Sequence, residues 1–221
     1  MLKYLGVSLL GLFVLLVFPL NTDVDVSNAD QPKFYGAATV IAADVMGNEF
    51  FKQTVHNTLL DRGEHILIGN TFSNGTNALA DTTAIGAICV SDNEPTINEA
   101  MTAATFDAVI GTSSSGFSGG DGNCISDNGN VVTTGGGSTA GGVATIGGLT
   151  FVCSASSTSN CNADSLISSI AICESNGGTT NYTGCSAQGE IFAFVDISNV
   201  TLASDETVTI TYVFDISSSG S

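Results

Sequence analysis

Six cysteines are the residues of this chain whose chemistry is most clearly indicated. They are Cys89, Cys124, Cys153, Cys161, Cys173 and Cys185. An even number of cysteines in an exported chain favours three disulfides. Zinc is the competing interpretation, but the chain has no C-x-x-C pair, and both histidines, His56 and His65, precede every cysteine. We predict that sequence neighbours pair: Cys89 with Cys124, Cys153 with Cys161, and Cys173 with Cys185.

Oxygen-bearing side chains in two stretches leave calcium binding open. One stretch is Ser91–Glu94, and the other contains Asp121, Asn123 and Asp127–Asn130. Calcium takes carboxylate and carbonyl oxygens from loops, as these stretches would offer. Their spacing does not match an EF-hand, and Asp and Asn are also ordinary turn residues. No other cofactor is indicated.

Residues for catalysis are scarce. The chain has no G-x-S-x-G, H-E-x-x-H or phosphate-loop motif, and it has two histidines and four basic residues in all. Paired carboxylates can cleave glycosides, but such sites rely on aromatic platforms and tryptophan is absent. We predict no catalytic residues and no enzymatic activity.

The charge distribution argues against nucleic acid as a partner. No lysine or arginine follows Arg62, whereas fifteen aspartates and glutamates do, and the net charge is −17. Binding to phosphate backbones depends on clustered basic side chains. The positive mean hydropathy of +0.33 argues against disorder.

The first residues resemble an export signal. Lys3 precedes an apolar run from Leu5 to Leu20, and small residues lead to Ala29. We predict cleavage after Ala29 and an extracellular protein without a membrane segment. An uncleaved anchor is the alternative, although Pro19 interrupts the run. Asn74, Asn181 and Asn199 lie in glycosylation motifs. The organisation is a signal peptide (1–29), an N-terminal strand (30–45) and one β-domain (46–221).

The segment Phe34 to Asp44 (FYGAATVIAAD) predicts an unusual strand. Its two faces would both be apolar and mostly small, whereas a half-exposed strand alternates with polar residues. We expect it to be buried on both sides. The segment Asn48 to Arg62 places Phe51, Val55 and Leu59 at helical spacing, with Gly63 as a stop, and predicts a short amphipathic helix.

Strand patterns dominate the rest of the chain. The candidates are Ala84–Val90, Val131–Val132, Val143–Cys153, Leu166–Cys173, Glu190–Ile197 and Glu206–Ile216. Turn dipeptides such as Asn74-Gly75 lie between them. The predicted fold is an all-β sandwich of jelly-roll character with one short helix near the N-terminus.

The order of these parts resembles a known family. A leader, the strand FYGAATVIAAD, and a β-domain ending in ETVTITYVFDIS are similar to secreted archaeal filament and pilus subunits. Those proteins assemble by donor-strand complementation, in which an N-terminal strand completes the sheet of the next subunit. The C-terminal half, with SLISSIAICES and GEIFAFVDISNVTLASDETVTITYVFDIS, is also similar to β-domains of phage tail and fibre proteins.

Two functional hypotheses follow. The first is a filament or pilus subunit that forms a homopolymer through an N-terminal donor strand. Its interface residues would be Phe34, Tyr35, Ala37, Thr39, Val40, Ile41 and Ala43. Lys33, Lys52 and Arg62, the basic residues of the mature chain, would contact the acidic body of the next copy. The second is a binding module, either a monomeric cell-surface adhesin or a virus-derived fibre domain. The open question is whether the strand leaves its own subunit.

Overall fold

The computed structural model describes residues 35–72, 84–92, 98–109, 122–127, 131–134, 142–154, 159–175, 181–187 and 189–216. These residues form eleven β-strands and two α-helices. The strands are β1 (Tyr35–Ala43), β2 (Glu49–His56), β3 (Thr58–Leu59), β4 (Ala84–Ser91), β5 (Cys124–Ser126), β6 (Val132–Thr134), β7 (Val143–Cys153), β8 (Ser165–Ser175), β9 (Asn181–Tyr182), β10 (Ile191–Leu202) and β11 (Glu206–Asp215). The helices are α1 (Asp61–Phe72) and α2 (Ala103–Val109), and a 3-10 turn covers Cys185–Ala187.

The strands form two sheets. Sheet A has the order β2-β1-β11-β7-β6, and sheet B has the order β3-β10-β8-β4-β5-β9. All neighbouring strands in the two sheets run antiparallel. The predicted all-β sandwich with a short helix is therefore confirmed, whereas its jelly-roll character stays a prediction.

The core lies between the sheets and follows from strand alternation. On β11, Val208, Ile210 and Tyr212 are buried, while the threonines between them are half-buried. β8 is buried along almost its whole length because it lies in the middle of sheet B. β8 contains several buried serines, and the hydroxyl of its Ser175 forms a hydrogen bond with the Ser126 hydroxyl of β5.

The predicted helix over Asn48–Arg62 is wrong, because that segment forms β2 and β3. The spacing of Phe51, Val55 and Leu59 is four residues, which is even, so it also fits one face of a strand. The aromatic and β-branched residues of β2 then favour the extended form. The helix instead begins at Asp61. Gly63 lies within this helix and does not end it. A glycine is needed there because a Cβ would collide with the Phe192 carbonyl oxygen of β10.

Candidate assembly site

The N-terminal strand β1 lies in the interior of sheet A. It pairs with β11 from Tyr35↔Asp215 to Ala43↔Thr207, and with β2 from Ala37↔His56 to Ala43↔Glu49. In the single chain, β1 therefore has a hydrogen-bonded neighbour on each side. The strand predicted for Phe34–Asp44 is present with nearly the same bounds.

The two faces of β1 are not equally buried. Ala38, Val40 and Ala42 point between the sheets and are fully buried. On the outer face Ala37, Thr39, Ile41 and Ala43 are only half-buried. The expectation of a strand buried on both sides is therefore wrong for the single chain, since no second layer covers the outer face within the described residues. Phe34 and the side chain of Tyr35 lie outside the described residues.

β2 and β11 flank β1 and form the two walls of the groove that holds it. Each wall has contacts of its own with the rest of the domain. On one side, the Ser198 backbone N–H of β10 donates to Gln53 Oε1 of β2 at 2.9 Å. Phe51 and Val55 of β2 also pack against the main core. On the other side, β11 pairs with β7 along nearly its whole length. Each wall is thus joined to the domain by contacts that do not involve β1.

A tight turn, residues 44–48, connects β1 to β2. The Asp44 carboxylate accepts hydrogen bonds from the Met46 N–H at 2.9 Å, and from the N–H and side-chain amide of Asn48 at 2.8 and 2.9 Å. These bonds, first of all that from the Asn48 side chain, hold the pKa of Asp44 below its ordinary value. Gly47 takes the positive φ of 83° that the turn requires.

This end of the molecule is unusually apolar for a surface. Val45 is 67% exposed, Met46 79% and Phe50 50%. Among the described residues only one other large hydrophobic side chain, Ile216, is comparably exposed, and it lies at the end of β11. Exposed apolar groups that cluster mark contact surfaces more often than isolated ones do.

At the start of β1, Gly36 accommodates the buried side chain of Tyr212. A Cβ at position 36 would collide with the Tyr212 hydroxyl and the Asn57 side-chain oxygen. The Tyr212 hydroxyl has no hydrogen-bond partner among the described residues. Burial raises its pKa above the ordinary value, so the hydroxyl stays neutral. The sequence identifies no reason for glycine here, because the reason lies on another strand.

The cysteines form three disulfides in the expected pairs, and none is free. Cys89 and Cys124 lie directly opposite each other on β4 and β5, and Cys89 Sγ is 3.6 Å from Cys173 Sγ. The sulfurs of Cys89, Cys173 and Cys185 form the one compact group of metal-ligating atoms in the described part of the chain. Because these atoms are bonded as disulfides, they are not thiolate ligands.

The structure describes only some of the candidate calcium ligands. Asn123 is buried with its side chain committed to the backbone: its amide donates to the Val90 carbonyl at 3.0 Å, and its oxygen accepts from the Gly184 N–H. Asp92 is half-buried, and burial raises its pKa. Its Oδ1 is buried without a partner in the described residues. Asp121, Asn93–Glu94 and Asn128–Asn130 lie outside them, so calcium stays an open prediction.

The remaining predicted residues are dispersed. Asn199 is exposed on β10 and Asn181 is half-buried on β9, whereas Asn74 is outside the described residues. His56, His65, Lys52 and Arg62 are exposed, and Lys33 is outside the described part.

One polar contact was not predicted from the sequence. The Asp107 carboxylate at the end of α2 accepts from the N–H groups of Cys185 and Ser186 at 2.6 and 2.8 Å, and from the Ser186 hydroxyl. It therefore fixes the turn that holds the third disulfide. The local sequence indicates only the start of α2, where the Thr102 hydroxyl accepts a hydrogen bond from the Thr105 N–H.

Comparison of the chain with protein-family models, curated proteins and solved structures finds no match. The resemblance to filament subunits therefore stays a prediction. In the described part of the chain, every helix is too short or too polar to cross a membrane.

Proposed function

We propose that this protein is a structural subunit of an extracellular filament, assembled as a homopolymer in which β1 of each copy occupies the groove of the next. The observation that carries this proposal is the position of β1. It is an interior strand of sheet A, yet turn 44–48 is its only chain connection to the rest of the described domain.

Exchange at that turn preserves the contacts of β1. Every pair with β2 and β11, and the burial of Ala38, Val40 and Ala42, can be made by an identical strand from a neighbour. Such swaps cost little because they replace intramolecular contacts with the same contacts between copies. The separate anchoring of β2 through Gln53 and of β11 through β7 keeps a groove available for the incoming strand.

The short connection also defines the junction. From Ala43 to Glu49 an extended chain reaches about 20 Å at most. In the exchanged form the turn end of one copy must therefore lie within that distance of the turn end of its neighbour. Val45, Met46 and Phe50, which are exposed in the single chain, are located where this junction would cover them.

Exchange that passes from copy to copy without closing generates a filament, whereas reciprocal exchange closes a dimer. Three disulfides are typical of proteins that mature in an oxidising compartment. Together with the predicted leader they support an extracellular location. The acidic surface left by the scarcity of basic residues keeps free subunits soluble before assembly.

Electron microscopy of the mature protein, residues 30–221, tests this function. We expect filaments from the mature chain. A variant that lacks residues 30–44, refolded with a synthetic peptide of those residues, should give folded particles that do not polymerise. A mature protein that stays monomeric at every concentration would favour the binding-module hypothesis. Filaments formed by the truncated variant would contradict assembly through β1.

A further inference from the structure

The two sheets differ in what covers their outer faces. On sheet B a second cluster of buried residues lies outside the sandwich and includes Leu60 and residues of α2. There the ring of Phe106 in α2 meets the ring of Phe194 in β10 edge to face, with centroids 6.1 Å apart. On sheet A, no element among the described residues forms a comparable outer layer. The outer face of sheet A is therefore available as a contact surface.

This surface is formed by the side chains of β2, β1, β11 and β7 that point away from sheet B, and we call it the threonine face. Its threonines include Thr39, Thr54, Thr150, Thr207, Thr209 and Thr211. The hydroxyls of Thr39 and Thr54 bond each other at 3.0 Å, and those of Thr150 and Thr209 at 2.9 Å. Bonds made within the face reduce the cost of covering these polar groups.

The threonine face carries few charges for so acidic a chain. Among the described side chains of β1, β11 and β7 that point outward, the one charged residue is Asp215, at the end of β11. The edge strand β2 adds Glu49 and Lys52. The whole chain has a net charge of −17, so two copies repel each other over most of their surfaces. Because like charges brought together disfavour contact, this is the face on which two copies approach with least repulsion.

The area of the threonine face is sufficient for a specific contact. β1 has nine residues, and four strands of that length at about 4.8 Å spacing and about 3.3 Å per residue cover roughly 600 Å². Two such faces would bury about 1,200 Å² together, which is within the range of specific interfaces. The shapes also match, because two sheets with the same twist pack face to face with their strands about 30° apart.

We propose that the threonine face pairs with the same face of a second copy across a two-fold axis. A two-fold contact uses one patch on both subunits, so it needs no second surface. It would cover the outer side of β1, where Thr39 and Ile41 are half-buried in the single chain. The inference does not rest on strand exchange: single subunits would pair as dimers, and filaments would pair side by side.

The test places a charge on the threonine face. Thr54→Asp and Thr150→Asp change positions that are exposed in the single chain, so both variants should fold. Thr105→Asp, at an exposed position on α2, is the matched control. Each substitution on the face occurs twice in a two-fold contact and buries a carboxylate without a partner. We therefore expect the dissociation constant of pairing to rise by about 100-fold or more, whereas Thr105→Asp should pair like the parent.

Sedimentation velocity of residues 30–221 measures the pairing of subunits, microscopy shows whether filaments lie in pairs, and circular dichroism verifies folding. Added salt should strengthen pairing of the parent, because it screens repulsion between the acidic copies. A parent that stays unpaired at high concentration and high salt would overturn the proposal. So would folded variants of Thr54 and Thr150 that pair as tightly as the parent. Filament formation is scored separately from pairing, so this proposal and strand exchange can fail independently.

Discussion

Two regions of the sandwich are held together in different ways. Sheet B is cross-linked by covalent bonds: Cys89–Cys124 joins β4 to β5, and Cys173–Cys185 ties β8 to the turn before β10. The β2-β1-β11 part of sheet A contains no cysteine and is held by backbone pairing and packing alone. The one disulfide of sheet A, Cys153–Cys161, lies on β7, which is separated from β1 by β11. The strand proposed to exchange is thus in the part that can open without breaking a covalent bond.

The largest effect expected within this comparison comes from the Cys89–Cys124 bridge. Replacing both cysteines with alanine should lower the free energy of unfolding by about 4 kcal/mol, because the bridge closes a loop of 35 residues in the unfolded chain. The same change at Cys153 and Cys161, eight residues apart, should cost about 2.5 kcal/mol. Denaturant titrations compare the two variants. If the two variants lost the same free energy of unfolding, or if the Cys153/Cys161 variant lost more, loop length in the unfolded chain would not explain how these disulfides stabilise the protein.

A smaller loss is expected in sheet A from Gly36→Ala. The new methyl group collides with the buried Tyr212 hydroxyl, and overpacking of this kind costs about 1–3 kcal/mol. Tyr212→Phe removes that hydroxyl, which has no partner among the described residues, and should be neutral or stabilising by itself. The double variant should recover part of the loss. A double variant as unstable as the sum of the two single changes would show that the residues do not contact.

The third effect is on exchange more than on stability. Asp44→Ala removes the acceptor of three hydrogen bonds in turn 44–48, so we expect the turn to open more readily and filaments to form faster. Acid should act in the same direction. Because the pKa of Asp44 in the folded form is below 3.8, its bonds are intact at neutral pH and are lost as pH falls through that lowered value.

Asp196→Ala removes the same charge from an exposed site on β10 and serves as the control. Light scattering at matched concentrations measures both variants. If Asp44→Ala assembles no faster than Asp196→Ala, the opening of turn 44–48 does not control strand exchange.

Sequence patterns identified the elements that are long and alternate regularly. β7 has the predicted bounds, and β1, β4, β8 and β11 differ from theirs by one or two residues. The sequence does not distinguish β2 from a helix, because spacing by four satisfies both a helix and one face of a strand. β5 and β9 have three and two residues, too few to show a period.

The details of the candidate site depend on contacts distant in sequence. Gly36 meets Tyr212, and Gln53 meets Ser198, through pairings that the local sequence does not encode. The small, apolar composition of β1 was recognised, but it does not specify whether the outer face is covered. That face is half-buried in the single chain, beside threonines of β2 and β11, and only the packing of the whole sheet could reveal this.

Two matched pairs of threonines allow the exchange of β1 to be measured directly. Thr39 and Thr54 link β1 to β2 with their hydroxyls 3.0 Å apart, and Thr150 and Thr209 link β7 to β11 at 2.9 Å. Both pairs are replaced with cysteine in separate variants, which are assembled, oxidised and separated on denaturing gels without reductant. We predict that Thr39→Cys/Thr54→Cys gives a ladder of covalently linked chains, while Thr150→Cys/Thr209→Cys gives single chains with an internal bond. Filaments in which both variants form only internal bonds would contradict strand exchange.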